Sequence, residues 1–482
     1  MDAFLLTAIK LVTTLLGLVT TRLLSQHLAL HDYGTYSQVL LIVSTVASLT
    51  ILGMMDGVNY YYSKEQDPEK RESYIATLFT LQTVVSTAMG CIVLLLSAPL
   101  CRYFDNPQLQ RLLIFSALLP LFQNILYMFQ VLLVAVGKAR VLAFRNLTVS
   151  LIRLAAVIAV VTLFQDVAVI LTATVVLDVG QILFFVGILR KSGCKIRLKR
   201  ADFHLIPSIL SYCVPMAVFV MVNALNRDLD KYLIALLTDT ETLAVYTNAS
   251  KPLPFDIIMT SFCTVLMPEI TRRVGRGEKE QAAKLYKLML ELACVSTGIL
   301  CCAALAAAPQ LMQLLYSEKY MGGLAVFCIY ILVDLIRFTN LTLVLSAAGK
   351  TRTIMALGVG ALCVNGVLNV ALYYAMGITG PALATFLCTL GTGLLMIRFG
   401  AKALEVPMKN LLDGKYLLLF FAQSMAALLV FGGLGHWLAG WGMHYLLILV
   451  IVCGGSGIVM ALLHGKRLLA TFDQVDRTSA TE

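Results

Sequence analysis

The chain has 482 residues, of which 59% are hydrophobic and only 13% are charged, and its formal net charge is +10. About a quarter of the residues of an ordinary soluble protein are charged, so this composition excludes a soluble domain and predicts an all-α polytopic membrane protein. The positive charge alone would suit nucleic acid, but the positions of the basic residues indicate a membrane topology, and we expect no nucleic-acid partner.

Apolar stretches of about 20 residues, long enough to cross a bilayer as a helix, recur from end to end. They predict about 14 transmembrane helices with short connecting loops. The predicted spans are 3–27, 35–62, 73–98, 107–136, 141–164, 167–190, 205–237, 241–270, 281–308, 320–348, 352–376, 378–400, 415–438 and 443–465.

Basic residues are distributed unevenly among the predicted loops. Most of the 37 Lys and Arg residues fall in loops or at helix edges on one side of the membrane, and only Arg102, Arg111 and Lys319 fall on the other side. Cytoplasmic loops are enriched in Lys and Arg, so we predict that the basic side and both termini are cytoplasmic. The protein would be a multi-pass protein of the cell (inner or cytoplasmic) membrane, with anionic lipids balancing its excess charge.

Short motifs repeat in the same order and at nearly constant spacing, which indicates duplication of a six-helix unit. The pairs are Ala98-Pro99 and Ala308-Pro309, Tyr36-Ser37 and Tyr246-Thr247, and Val136–Arg140 and Ala348–Arg352. Six helices are an even number, so a pseudo-two-fold axis along the membrane normal would relate the two lobes. We predict an N-terminal lobe over 1–200, a C-terminal lobe over 201–404, and two further helices with a tail over 405–482. The alternative is that Gly-Lys-x-Arg is merely a common turn between helices.

Charged residues inside the apolar spans have to be paired, face water, or lie near a helix end, because a lipid-facing charge is costly. The segment Asn223–Lys231 is the densest example, and its polar residues recur at helical spacing on one face. We expect Asp228 or Asp230 to pair with Arg227 or Lys231. We also expect Glu291 to pair with Lys287, one helical turn away.

The remaining intramembrane charges favour a water-filled cavity between the lobes. The candidate cations are Lys10, Arg22, Arg153, Arg227, Lys231 and Lys251, and the candidate acids for ion coupling or charge balance are Asp56, Asp178 and Asp256. Arg and Lys are suited to phosphate and pyrophosphate, so a cationic cavity implies an anionic substrate. Polar residues also form stripes along single predicted helices, and the fifth helix carries Asn146, Ser150 and Arg153 on one face. For each such stripe taken singly, helix packing through small polar residues is an equal alternative.

No catalytic constellation is recognisable. The chain has no Walker motif, its histidines have no metal-ligand spacing, and its predicted outer loops are short. We therefore expect a protein that is not an enzyme and that needs no cofactor.

Several loose motifs, taken together, resemble the polysaccharide-repeat (O-antigen type) flippases of the multidrug/oligosaccharidyl-lipid/polysaccharide exporter superfamily. They are Arg22, Asp32–Ser37, Leu229–Leu237, Val245–Lys251, Met267–Arg272, Leu345–Arg352, Asn369 and Gly380–Thr385. The chain departs from the pattern at Pro381, where the family usually has a small residue. In similar lipid II flippases, basic residues on helices one and eight face the cavity, and Lys10 and Lys251 fall on those helices here.

The resemblance implies a transporter that flips polyprenyl-pyrophosphate-linked oligosaccharide repeat units to the outer leaflet by alternating access. H⁺ or Na⁺ coupling, or the membrane potential, would drive it, and the glycan polymerase and glycosyltransferases would be its partners beside membrane lipids. One alternative is a cation-coupled multidrug exporter of the same superfamily, although such exporters should prefer acidic cavities. A membrane glycan polymerase or ligase is the other alternative, but these enzymes usually carry a sizeable outer loop.

Overall fold

The computed structural model describes residues 2–192, 197–337, 339 and 341–480, and every regular element in these ranges is helical. The first half contains α1 (Asp2–His27), α2 (Leu30–Thr50), α3 (Met54–Lys64), α4 (Pro68–Leu95), α5 (Ser97–Tyr103), α6 (Gln108–Ser116), α7 (Leu119–Ala135), α8 (Ala139–Leu163), α9 (Val167–Lys191) and α10 (Ile206–Leu237). The second half contains α11 (Thr240–Ala249), α12 (Asp256–Gly275), α13 (Lys279–Ala306), α14 (Ala308–Tyr316), α15 (Leu324–Arg337), α16 (Leu343–Ala347), α17 (Thr351–Met376), α18 (Thr379–Leu404), α19 (Gly414–Gly440) and α20 (Tyr445–Ala480). Short 3₁₀ turns span Leu198–Arg200, Phe203–Leu205, Glu318–Gly323 and Met408–Asn410.

Twelve segments of the described chain are long and apolar enough to cross a membrane. The other two predicted spans, 205–237 and 241–270, coincide with α10 and with α11 plus α12, where some side chains lie outside the described residues. The prediction of an all-α polytopic membrane protein is therefore confirmed, and the count of 14 spans is approximate.

Several long helices start at an aspartate. The side chains of Asp67, Asp166 and Asp413 accept hydrogen bonds from the backbone N–H groups of Glu69, Ala168 and Tyr416. The first N–H groups of a helix have no partner within the helix, so these carboxylates satisfy them and also favour the positive end of the helix dipole.

The predicted span 35–62 is wrong as a single helix, because the helix breaks between α2 and α3. The break frees the Thr50 carbonyl, and the Gln82 side-chain amide donates to it over 3.1 Å. The Asn124 amide donates to the Ala47 carbonyl over 3.1 Å and to the Thr50 hydroxyl over 2.8 Å. An unpaired backbone group costs several kcal/mol in hydrocarbon, so these buried amides from α4 and α7 make the break tolerable.

The predicted span 241–270 is also wrong as one helix, since the chain leaves helical geometry between α11 and α12. Pro252 and Pro254 occupy this interval, and proline has no N–H to donate. The Leu253 N–H between them donates to the buried Asp334 carboxylate over 2.9 Å. A buried carboxylate of α15 therefore serves as a backbone acceptor at a broken helix.

Two of the repeated motifs have the same local structure in both halves of the chain. Gly137 and Gly349 have φ angles of 78° and 67°, a left-handed conformation that glycine adopts without strain. The N–H of the lysine after each glycine bonds back to a carbonyl five residues earlier, at 2.9 Å from Lys138 and 2.8 Å from Lys350. The Ala-Pro motifs each lie in the first turn of a short helix, α5 or α14, that directly follows a long one. These shared conformations support the predicted duplication.

The chain forms two compact units, Met1–Val245 and Tyr246–Glu482. The predicted lobe boundary after residue 200 falls inside the first unit, because α10 packs on α2 and α3. The Tyr232 hydroxyl of α10 contacts the Thr45 hydroxyl of α2, and the Tyr103 hydroxyl donates to the Tyr232 carbonyl over 2.9 Å. In the second unit, the core lies around buried residues of α12, α13 and α18, including Tyr286 and Met289.

Gly34 of α2 packs closely against the backbone of Thr240 within the first unit. A Cβ atom at this position would lie 2.1 Å from the Thr240 carbonyl oxygen and 2.6 Å from Thr240 Cγ2. We expect Gly34→Ala to destabilise the protein by about 2 kcal/mol or more, because the backbone has to move apart. Gly17→Ala is the matched control, since a Cβ there meets nothing within 4 Å, and alanine favours a helix. Thermal unfolding in detergent measures both variants, and equal midpoints would contradict this packing.

Candidate functional site: a polar cavity and an ionic cluster

An ionic cluster lies on α10 and consists of Arg227, Asp228 and Lys231. The Lys231 ammonium is 2.6 Å from one oxygen of Asp228, and the Arg227 guanidinium is 3.1 Å from the other. Asp228 is buried, whereas the Arg227 side chain is 55% exposed. The predicted pairing within this segment is thus confirmed for Asp228, and Arg227 keeps a large exposed surface that a ligand can reach.

A second polar feature is a cavity of about 400 Å³ inside the first unit. Four helices enclose it: Thr13 comes from α1, Gln123, Leu126, Tyr127 and Gln130 from α7, Arg145, Asn146, Val149, Ser150 and Arg153 from α8, and Asp178 and Gln181 from α9. The volume is within the range of small-molecule sites, and most of the lining side chains are polar. The prediction that Asn146, Ser150 and Arg153 share one face of a helix agrees with this arrangement.

Arg145 is the most deeply buried cation of the cavity, with 9% of its surface exposed. One terminal nitrogen donates to the Asn146 side-chain oxygen over 2.7 Å, and the other donates to the Gln181 side-chain oxygen. Its guanidinium carbon lies 4.8 Å from the centre of the Phe185 ring, within range of a cation–π interaction. Both hydrogen-bond acceptors are neutral amides, so they orient the guanidinium without cancelling its charge.

The buried Asp178 lies one residue further along this chain of hydrogen bonds. The Gln181 amide donates to the Asp178 carboxylate over 3.0 Å while its oxygen accepts from Arg145. Gln181 therefore separates the carboxylate from the guanidinium. Arg153, two turns after Arg145 on the same face of α8, lines the same cavity and is exposed to it. Two cations and one carboxylate leave the cavity with a positive charge.

Arg145 also has an unused donor. Its Nε atom is buried and has no hydrogen-bond partner among the described residues. A buried donor without a partner costs about 1–3 kcal/mol. An anionic group in the cavity would interact favourably with the positive charge of this guanidinium.

The structure brings together only some of the residues predicted for the site. Arg153 and Asp178 line one cavity, and Arg227 and Lys231 bind one carboxylate. The other predicted residues of the first unit lie elsewhere: Lys10 is exposed and Arg22 half-buried on α1, and Asp56 is half-buried in the first turn of α3.

Two predicted site residues belong to the second unit. Lys251 is half-buried in the break between α11 and α12. Asp256 is the first residue of α12, and its side chain lies outside the described residues.

The expected pairing of Glu291 with Lys287 is wrong. The Glu291 carboxylate lies 2.5 Å from the guanidinium of Arg467, which also binds Asp413 over 3.0 Å. α20 packs along α13 and brings Arg467 close to Glu291, which is distant in sequence. Because a guanidinium has several N–H donors, Arg467 can bind the carboxylates of Glu291 and Asp413 at the same time.

Sequence reasoning did not single out Arg145 and Gln181. Arg145 lies only a few residues after the basic turn at Lys138, where basic residues at a helix edge ordinarily snorkel to the surface. Its spacing of eight residues from Arg153 was the available signal, because that spacing returns to one helical face. Gln181 had a similar signal, one turn after Asp178.

The fold is shared with solved transporter structures. A structure titled "Lipid II flippase MurJ, inward closed conformation" matches with a TM-score of 0.73 and 15% identity, covering 96% of this chain and 100% of that one. An inward-facing multidrug resistance MATE family transporter of the MOP superfamily matches with a TM-score of 0.68 and 14% identity, covering 82% and 94%. The MATE multidrug transporter DinF-BH matches with a TM-score of 0.63 and 12% identity, covering 83% and 95%.

At these identities the likeness establishes the fold alone. No curated protein matches the chain by sequence. The profile of a family described as "Polysaccharide biosynthesis protein" matches residues 19–323, which is more than half of the chain. The match includes every lining residue of the polar cavity except Thr13, as well as the ionic cluster of α10. The chain therefore belongs to the polysaccharide biosynthesis protein family and has the fold of the MOP-superfamily transporters.

Proposed function

We propose that the protein flips polyprenyl-pyrophosphate-linked oligosaccharide repeat units from the cytoplasmic to the outer leaflet by alternating access. The observation that carries the proposal is the cavity in which Arg145 and Arg153 outnumber Asp178, within a chain of the polysaccharide biosynthesis family. A pyrophosphate carries negative charge and several acceptor oxygens, which is the chemistry that two guanidinium groups bind best.

The charge of the cavity also argues for the substrate class. Arg145 is held by neutral amides, so its positive charge remains available to an anion. Both arginines would repel a cationic drug. The repulsion would be stronger than in bulk water, because charges interact more strongly in a medium of lower dielectric constant. A neutral sugar would satisfy hydrogen bonds but would leave the charge uncompensated. A phosphate-bearing substrate accepts the hydrogen bonds and also compensates the positive charge.

The predicted charges outside this cavity are assigned supporting roles. Arg22, Lys10, Arg227, Lys231 and Lys251 would guide the pyrophosphate and acidic sugars along the path. Asp56 and Asp256, together with Asp178 inside the cavity, would balance these cations or couple transport to H⁺ or Na⁺.

The membrane supplies both the setting and a driving force. We propose that both termini are cytoplasmic and that the protein resides in the inner membrane beside the polymerase and glycosyltransferases. An inside-negative potential then favours outward movement of a negative group by about 2.3 kcal/mol per charge per 100 mV.

Reconstitution tests the activity directly. Purified protein is placed in liposomes containing lipid-linked oligosaccharide extracted from the producing cells, and a membrane-impermeant glycosidase reports the sugar exposed outside. Protein-free liposomes should expose only the outer leaflet's share, whereas liposomes with the protein should expose nearly all of it. An unchanged exposed share, together with efflux of the cationic dye ethidium from loaded liposomes, would instead support a multidrug exporter.

A further inference from the structure

A separate cavity of about 460 Å³ lies in the first unit where α3 ends and α4 and α10 begin. Four tyrosines line it: Tyr60, Tyr61, Tyr74 and Tyr212. None of the side chains discussed above for the polar cavity or the ionic cluster lines it. We call it the tyrosine cavity.

The tyrosine rings form one connected aromatic wall. Tyr60 stacks on Tyr212 with ring centroids 4.2 Å apart, and Tyr61 stacks on Tyr74 at 4.3 Å. Tyr60 and Tyr61 meet edge to face at 5.0 Å, which joins the two stacks. The Tyr61 hydroxyl donates to the Ser208 carbonyl over 2.9 Å and anchors the wall to α10. The rings of Tyr60, Tyr74 and Tyr212 are only partly buried, so the wall has accessible surface.

Polar groups surround the aromatic wall. The Lys64 ammonium donates to the Tyr60 hydroxyl over 2.7 Å and lies 4.9 Å from the centre of that ring. Glu65 also lines the cavity, so its lining has one positive and one negative side chain, and the Glu65 carboxylate accepts from the Asp67 backbone N–H over 3.2 Å. The hydroxyls of Tyr74 and Tyr212 bond to no other group in the described part of the chain, so they are available to a ligand.

The aromatic wall and the polar groups around it suit some classes of ligand better than others. A phosphate favours a cluster of cations, but the lining of this cavity has a single lysine and also contains the carboxylate of Glu65. A quaternary ammonium prefers aromatic faces, but Lys64 already places a cation over Tyr60 and would repel it. A lipid chain would leave the hydroxyl, ammonium and carboxylate groups without partners. A pyranose ring presents an apolar C–H face to the aromatic rings and hydroxyls to the polar rim.

We propose that the tyrosine cavity binds a pyranose ring of the substrate's glycan. The proposal rests on the proposed flippase function for its biological role, because it makes the cavity a loading site for the sugar end. Its position fits that role, since α3 ends and α10 begins on the side that carries the basic loops, the predicted cytoplasmic side. The segment before α10 is fixed to α4 by an ion pair between Arg200 and Glu72, at 3.0 Å.

Saturation-transfer NMR on the full-length protein in nanodiscs tests the binding. The probes are free glucose, galactose, rhamnose, N-acetylglucosamine and glucuronic acid, with the open-chain polyol sorbitol as the reference. We expect at least one pyranose to receive more saturation than sorbitol. Tyr212→Leu should weaken its binding at least about fivefold, because the substitution removes an aromatic face and a hydroxyl. Tyr212→Phe should give a smaller loss.

Tyr374→Leu is the matched control, because Tyr374 is an exposed tyrosine of α17 outside this cavity. Unfolding midpoints of all variants separate lost binding from lost folding. The proposal is overturned if no pyranose exceeds sorbitol, if Tyr212→Leu binds as the wild type does, or if inorganic phosphate or tetramethylammonium displaces the sugar. If the protein binds the sugar but shows no activity in the liposome assay, the flippase function is refuted, whereas the sugar-binding site is still supported.

Discussion

Replacing Arg145 and Arg153 together by glutamine is expected to lower glycan export at least about 100-fold. A hydrogen bond to a charged group contributes about 1.5–3 kcal/mol, and every 1.4 kcal/mol is a factor of ten, so losing two guanidiniums accounts for this effect. The variant also leaves the buried Asp178 as the charged group of a cavity built around two cations. Surface polysaccharide, normalised to the amount of folded transporter, is the measurement.

The controls separate charge from geometry and from general effects. Arg145→Lys with Arg153→Lys keeps both charges but loses the planar fork, and we expect an intermediate rate. Arg102→Gln with Arg111→Gln removes two exposed arginines far from the cavity in sequence and should export normally. Normal export by the double glutamine variant at wild-type protein level would exclude the cavity as the pyrophosphate site.

Asp228→Asn is expected to destabilise the first unit by about 3 kcal/mol. The carboxylate is buried and binds Lys231 at 2.6 Å, so the substitution leaves a largely buried ammonium without its counter-charge. Removing one partner of a buried ion pair costs about 3–5 kcal/mol, and the exposed Arg227 adds little to this loss. A lower thermal unfolding midpoint in nanodiscs is the measurement.

Two comparison variants sharpen this experiment. Glu280→Gln changes an exposed carboxylate in the first turn of α13 and should lower the midpoint much less, because only a favourable interaction with the helix dipole is lost. Asp228→Asn combined with Lys231→Met should recover part of the stability, because the stranded charge is removed as well. If Asp228→Asn unfolds at the wild-type midpoint, the ion pair contributes nothing measurable to the stability of the protein.

The ionic cluster of α10 and the polar cavity use their intramembrane charges in different ways. In the α10 cluster, Lys231 is bound to a buried carboxylate, so much of its charge stabilises the fold. In the polar cavity, neutral amides hold Arg145 and leave its charge available. A count of intramembrane cations alone does not distinguish these two uses.

The sequence by itself determined the fold class, because spans of about 20 apolar residues have few alternatives in a bilayer. It also placed Arg153 with Asn146 and Ser150 on one face of a helix, and it predicted the pairing of Asp228. These inferences depend on residues close together along one helix, where spacing fixes geometry.

Only the tertiary structure decided which distant residues meet. The breaks at Thr50 and at Pro252 depend on Gln82, Asn124 and Asp334, which come from other helices and supply the missing backbone partners. The cavity depends in the same way on Gln181, which joins Arg145 of α8 to Asp178 of α9. Helical periodicity gives the face on which a side chain lies, but packing between helices selects the neighbour opposite that face.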